Sequence, residues 1–281
     1  METYDFTNMF AYNTVYLRTT QNLVGMQRDA VGTGFHFSIH HPEVDSWSYF
    51  IVTNRHVIDG VDSLEFVLNE KKSTGQRDST QHEFVMTKTE IQKNLTLHPE
   101  GIDLCIIEIT DILIELFDQG KNMYIMPFTE VNIPVKSHLP HFKALESVIM
   151  TGYPAGFWDH INNLPIMRKG NIASHLAFDY LGREEFVVDI AAYHGSSGSP
   201  LVLFDEGNAI ERSGRAYSTN SLLLGIQRAI PLPQVEFPDK SMFTNLGLFI
   251  KSYKLLDFIP IVRRNNAAEI QSILESKNRD V

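Results

Sequence analysis

Short apolar or alternating segments, each closed off by turn-forming residues, recur along almost the whole chain. They are Thr14–Thr19, Gly34–Ile39, Ser48–Thr53, Ser63–Leu68, Phe84–Thr89, Leu104–Ile109, Ser147–Gly152, Ile166–Ser174, Glu185–Ile190, Pro200–Phe204, Leu222–Ala229 and Thr244–Ile250. A strand turns successive side chains to opposite faces, so segments of this length and spacing suit half-buried or buried strands. Strands this dense, with no βαβ alternation between them, predict an all-β sandwich or barrel. Six segments lie on each side of a stretch near 120–145 that is rich in Pro, His and Lys. The expected architecture is therefore two similar β halves packed side by side. Only the part from Ser252 onward reads as helix, its last portion (266–274) carrying Ile270, Ile273 and Leu274 among helix formers. The polar or Pro-rich stretches 70–82, 205–220 and 231–243 read as exposed loops.

Charge narrows the partners. With 24 basic and 34 acidic residues, the formal net charge of −10 argues against nucleic acid or an anionic membrane surface. No apolar run approaches the roughly 20 residues that span a bilayer. The opening METYDFTNMFAYNTVYLRT lacks the basic, apolar and small-residue regions of a secretory signal, and Cys105 is the single cysteine. Together these lead us to expect a reducing, cytoplasmic location. Cys105 reads as a small apolar strand residue. His40 and His41 read as surface histidines, because no Cys, His or Asp cluster nearby completes a ligand set. No cofactor and no metal are expected.

The chemistry concentrates in DIAAYHGSSGSPLVLF, residues 189–204. Glycine and serine usually signal a flexible linker, yet here they lie between two apolar strands. A rigid turn presenting Ser197 is the alternative reading. A serine hydroxyl is a weak nucleophile and needs an adjacent base, with a third group fixing that base's tautomer. The segment Phe50–Ile58 supplies a strand running straight into His56. The segment Gly101–Ile107 supplies Asp103 at the head of a strongly apolar strand, where a buried charge needs a partner. The chain order is thus His56, Asp103, Ser197. A Gly-x-Ser-x-Gly elbow is absent, since Ser199 stands two residues after Ser197.

Gly195-Ser196-Ser197-Gly198-Ser199-Pro200 resembles the Gly-x-Ser-Gly-Gly/Ser-Pro signature of chymotrypsin/trypsin-fold serine proteases. Thr53–Val57 resembles their histidine segment and Asp103–Ile107 their aspartate segment. The likeness extends to the disulfide-free bacterial branch related to HtrA/Deg proteases: Gly32-Thr33-Gly34-Phe35, Gly170–Ser174 and Gly225–Ile230 are similar to segments of that branch. It covers roughly residues 14 to 260 and leads us to expect a stand-alone protease domain without a PDZ domain.

The resemblance implies two six-stranded antiparallel β-barrels with a C-terminal helix. It divides the chain into a lead (1–13), an N-terminal barrel (14–120), a linker (121–145), a C-terminal barrel (146–260) and a helical tail (261–281). It implies an intracellular serine endopeptidase in which His56, Asp103 and Ser197 form the triad and the Gly195 and Ser197 N–H groups hold the oxyanion. It also implies a substrate pocket walled by Ala191, Ala192 and Tyr193, with Arg228, Ala229 and Ile230 on the strand that pairs with substrate backbone. Ala191 stands where an aspartate would select Lys or Arg, so cleavage after small or medium apolar P1 residues is expected. His194, beside the oxyanion loop, is a candidate for contacting substrate beyond the scissile bond. Ser196 stands where many secreted relatives carry the aspartate that pairs with a newly cut N-terminus. Its identity points instead to control by a regulatory partner, an effector or loop ordering. The expected partner is a protein or peptide substrate. A catalytically silent protease-fold binding or scaffold protein, and an esterase on a different scaffold, remain as alternatives.

Overall fold

A computed structural model of the chain describes residues 7–23, 26–205, 210–212, 215–217, 220–231, 245–268 and 270–271. Much of the expected loops 205–220 and 231–243, and the expected helix beyond residue 271, lie outside the described residues. A helix α1 (Thr7–Asn13) leads into β1 (Thr14–Leu23), β2 (Met26–His41) and β3 (Ser46–Thr53). The short α2 (Arg55–Ile58) is followed by β4 (Ser63–Lys71), β5 (Arg77–Thr87), α3 (Lys88–Asn94), β6 (Leu95–Leu97), β7 (Cys105–Glu108) and α4 (Thr110–Asp118). The second half comprises β8 (Ser147–Gly152), β9 (Ile166–Ile172), β10 (Glu185–Asp189), β11 (Pro200–Phe204), the ribbon β12 (Glu211–Arg212) and β13 (Arg215–Ala216), β14 (Ser221–Ala229) and β15 (Leu246–Lys251). The chain then makes a 3-10 turn, Ser252–Phe258, before α5 (Ile259–Asn265). Each predicted segment contains a strand. The helices α1, α3 and α4 are not anticipated by the strand pattern.

One half closes and the other does not. Strands β10-β15-β14-β11-β8-β9 form a closed antiparallel barrel, as expected. The N-terminal strands form an open seven-stranded sheet in the order β5-β4-β1-β2-β3-β7-β6, which corrects the expectation of a second six-stranded barrel. The physical reason lies in α3. This helix contacts β4, β5 and β7 and buries Ile91 in the core they share, so a helix fills the place where a ladder would close the sheet.

Alternation along β3 and β7 shows how the halves join. Phe50, Val52 and Ile106 belong to a buried cluster that includes the barrel residues Val148, Met150, Leu201 and Ile226. Ile51, Cys105 and Ile107 turn the other way, into the cluster with Leu64, Phe66 and Ile91. Both faces of these strands are buried, which is why they read as continuous apolar runs rather than clean alternations. His41 departs from the surface reading: it is buried, with Nε2 2.9 Å from Ser48 Oγ.

Candidate active site

Register brings the first two candidates together. β3 and β7 are antiparallel with Thr53 opposite Cys105, so the residues after β3 and before β7 share one edge of the sheet. His56 follows on α2, and its ring Nδ1 lies 2.7 Å from Asp103 Oδ2. The other carboxylate oxygen of Asp103 accepts from the His56 backbone N–H at 3.0 Å. Asn54, fully buried, donates through Nδ2 to the Asp103 carbonyl at 2.9 Å and fixes the backbone of that turn. An imidazole held at Nδ1 by a carboxylate presents Nε2 as an acceptor. That Nε2 lies 3.0 Å from Ser197 Oγ, which arrives from the barrel on the turn before β11.

The serine turn is rigid. Gly195 and Gly198 have φ of +87° and +90°, the left-handed region that favours glycine. A Cβ at Gly195 would come within 2.4 Å of the Tyr153 carbonyl oxygen, and one at Gly198 within 1.9 Å of the Thr33 carbonyl oxygen. The turn is seated on β14 by Gly198 N–H donating to the Gln227 carbonyl and Gln227 N–H donating to the Ser199 carbonyl, both at 2.9 Å. Ser196 is fully buried; its N–H donates to the Tyr193 carbonyl (3.0 Å) and its Oγ accepts from Tyr193 N–H (3.4 Å). The His194 carbonyl accepts from Ala155 N–H at 2.6 Å. In a trans peptide this turns the Gly195 N–H to the opposite side. Among the described residues neither Gly195 N–H nor Ser197 N–H has an intramolecular partner.

A residue that motif reading passed over holds this arrangement to the sheet. Thr33 N–H donates to the Ser197 carbonyl at 2.8 Å, and Thr33 Oγ1 donates to the Gly195 carbonyl at 2.7 Å. The same Oγ1 accepts from Tyr153 N–H (3.1 Å), while the Thr33 carbonyl accepts from Thr53 Oγ1 (2.8 Å). Its position between Gly32 and Gly34 in a resembling segment was the available signal.

The remaining candidates fall into two groups. Ala191, Ala192 and Tyr193 precede the serine turn, with Ala192 buried and Tyr193 exposed. Arg168 on β9 braces them: it donates to the Ala191 carbonyl, and its guanidinium sits 4.9 Å from the Tyr193 ring centroid. Arg228, Ala229 and Ile230 lie half-buried at the end of β14, with Arg228 Nε 2.8 Å from Glu185 Oε1. Cys105 is buried beneath the site, and burial pushes its thiol well above the ordinary range, so it is inert there. His98, Glu100 and Asp257 converge elsewhere, but the ammonium of Lys254 already lies 2.8 Å from Glu100 and 2.7 Å from Asp257.

A closed barrel beside an open β-sheet, with carboxylate, imidazole and hydroxyl in file between them, is the arrangement of the trypsin-fold class. The trypsin-like peptidase domain family matches residues 32–210, and the chain belongs to that family. No curated protein matches the chain. Among solved structures, the chain is similar to the HtrA-type protease AlgW with a tripeptide, at 17% identity and a TM-score of 0.48, covering 90% of this chain and 62% of that one. It is also similar to a serine-to-alanine form of AlgW with a decapeptide, at 15% identity and 0.48, covering 90% and 64%. A further similar structure is an inactive form of Rv3671c from M. tuberculosis H37Rv, at 15% identity and 0.44, covering 95% and 90%. The chain thus spans a little under two thirds of the AlgW chains it matches.

Proposed function

We propose that the protein is a serine endopeptidase working through Ser197, His56 and Asp103. The observation that carries this reading is the His56 ring, within hydrogen-bond reach of Asp103 at one nitrogen and of Ser197 at the other. Ser197 Oγ attacks the peptide carbonyl carbon while its proton passes to His56 Nε2. The carbonyl oxygen takes up negative charge and is held by the Gly195 and Ser197 N–H groups, each such donor lowering the barrier by about 3–4 kcal/mol. His56 then protonates the leaving amine, and water, deprotonated by the same imidazole, cleaves the acyl-enzyme. Asp103 holds the tautomer and stabilises the imidazolium throughout. Cleavage after small or medium apolar P1 residues follows from a wall of two alanines and a tyrosine that offers no carboxylate to a basic side chain.

Fluorophosphonate labelling tests the reading. Wild-type protein should be modified at Ser197, with labelling lost in Ser197→Ala and reduced at least about a thousandfold in His56→Ala. Unmodified wild-type protein, with its fold confirmed by circular dichroism, would favour the silent scaffold instead. A peptide-library profile dominated by Arg or Lys at P1 would overturn the pocket assignment alone.

A further inference from the structure

A cleft of about 500 Å³ opens beside the serine, and among its walls are Arg28, Val31, His56, Gly156, His194 and Ser197. Its walls come from β1, β2, α2, the Ala155–Gly156 turn and the serine turn, and none from β14. β14 lies against the other side of that turn, through the paired bonds between Gln227 and residues 198 and 199. On the endopeptidase reading, on which this inference rests, the acyl half of a substrate lies along β14. The cleft then faces the half that departs as the amine.

The charges around this cleft are unbalanced. Among the described residues the Arg28 side chain makes no hydrogen bond and no ion pair, although its neighbour Asp29 is an acid. Asp29 is committed to Arg18 at 3.0 Å and also accepts from Thr20 and Gln27. His194 adds an exposed imidazole without a side-chain partner among the described residues. Among the described residues no carboxylate lines the cleft, and Asp103 is already engaged by the imidazole and N–H of His56. In a chain of net charge −10, a carboxylate-free cleft carrying a free guanidinium is a local exception that attracts acids. A guanidinium presents a planar fork of donors matched to a carboxylate.

We propose that this cleft is a leaving-group subsite selecting substrates with Asp or Glu within the first three residues after the scissile bond, and that Arg28 determines this preference. A solvent-accessible pair of this kind is worth at most about 1 kcal/mol, or about fivefold in kcat/KM.

The test uses the full chain and a proteome-derived peptide library read by mass spectrometry. Cleavage sites should be enriched for Asp and Glu over Lys and Arg in those three positions. A matched peptide pair with Glu or Lys at the most enriched position should differ by about fivefold in kcat/KM. Arg28→Ala should bring that ratio close to one and Arg28→Glu should invert it, while fluorophosphonate labelling of Ser197 stays unchanged in both variants. Where no library peptide is turned over, two peptide pools differing only in a fixed Glu or Lys are competed against the label, and the acidic pool should protect Ser197 at lower concentration. Equal turnover or equal protection by the two charges overturns the inference and leaves the endopeptidase reading intact. Loss of wild-type labelling removes that reading and the inference with it.

Discussion

A hydroxyl that donates and accepts at once can tie two backbone segments together, and Thr33 does so at the centre of the site. Its Oγ1 donates to the Gly195 carbonyl and accepts from Tyr153 N–H, so one side chain spans the serine turn and the turn that clamps His194. Thr33 is buried, and a valine there would leave two backbone groups without partners, at a cost of about 1–3 kcal/mol each. The consequence for catalysis is larger than for folding, because a small displacement of Gly195 removes an oxyanion donor. Thr33→Val should lower kcat by about a hundredfold with little change in KM, whereas Thr33→Ser keeps the hydroxyl and should restore most of it. A lowered urea midpoint with kcat and KM both preserved would show that Thr33 only supports the fold. The same network answers what steadies a turn that carries Ser196 in place of an acid: neutral hydrogen bonds from the neighbouring sheet do so.

At the scale of elements, α3 explains why the N-terminal sheet stays open. Thr87 caps it, with Oγ1 accepting from Glu90 N–H at 3.4 Å and Glu90 Oε2 accepting from Thr87 N–H at 2.7 Å, a reciprocal capping box. That signature, Thr87-Lys88-Thr89-Glu90, stood in the sequence all along. It was hidden by the apolar run Phe84-Val85-Met86, which extends a strand pattern up to the cap. Likewise α4 buries Leu116 and half-buries Ile112 and Leu113, yet at nine residues it is too short for its period to stand out. Thr87→Ala should cost about 1 kcal/mol, visible as a lowered urea midpoint. Because α3 packs on β4, β5 and β7, fluorophosphonate labelling of the folded variant should match wild type.

For the whole molecule, one source of acid sensitivity is His36. It lies inside the sheet, and burial holds its imidazole well below the ordinary range, to about 3. The unfolded chain binds a proton at this residue near pH 6.5, whereas the folded chain does not until about 3. Stability from this source is therefore complete above the unfolded value and drains away as the pH falls between the two, by up to about 1.4 kcal/mol per pH unit. Urea midpoints measured from pH 7 down to pH 4 should decline, and His36→Gln should show a shallower decline. Parallel slopes in the two proteins would sink the assignment to this histidine. No helix among the described residues is long and apolar enough to cross a membrane.

The places of most strands, though not of β6, β12 and β13, and the three segments bearing His56, Asp103 and Ser197 were determined by sequence alone, because each depends on local matters: alternation, turn residues and where a polar group interrupts an apolar run. Closure was not local. Whether β4 and β5 curl round to meet β6 depends on what packs in the gap, and only the folded chain shows that α3 fills it. The clamp at Thr33 joins residues 162 positions apart, and the cleft sets Arg28 beside Ser197 through pairings of β1 with β2 and of sheet with barrel. A sequence displays which groups are available; tertiary register decides which of them share a site, since hydrogen bonds act over about 3 Å.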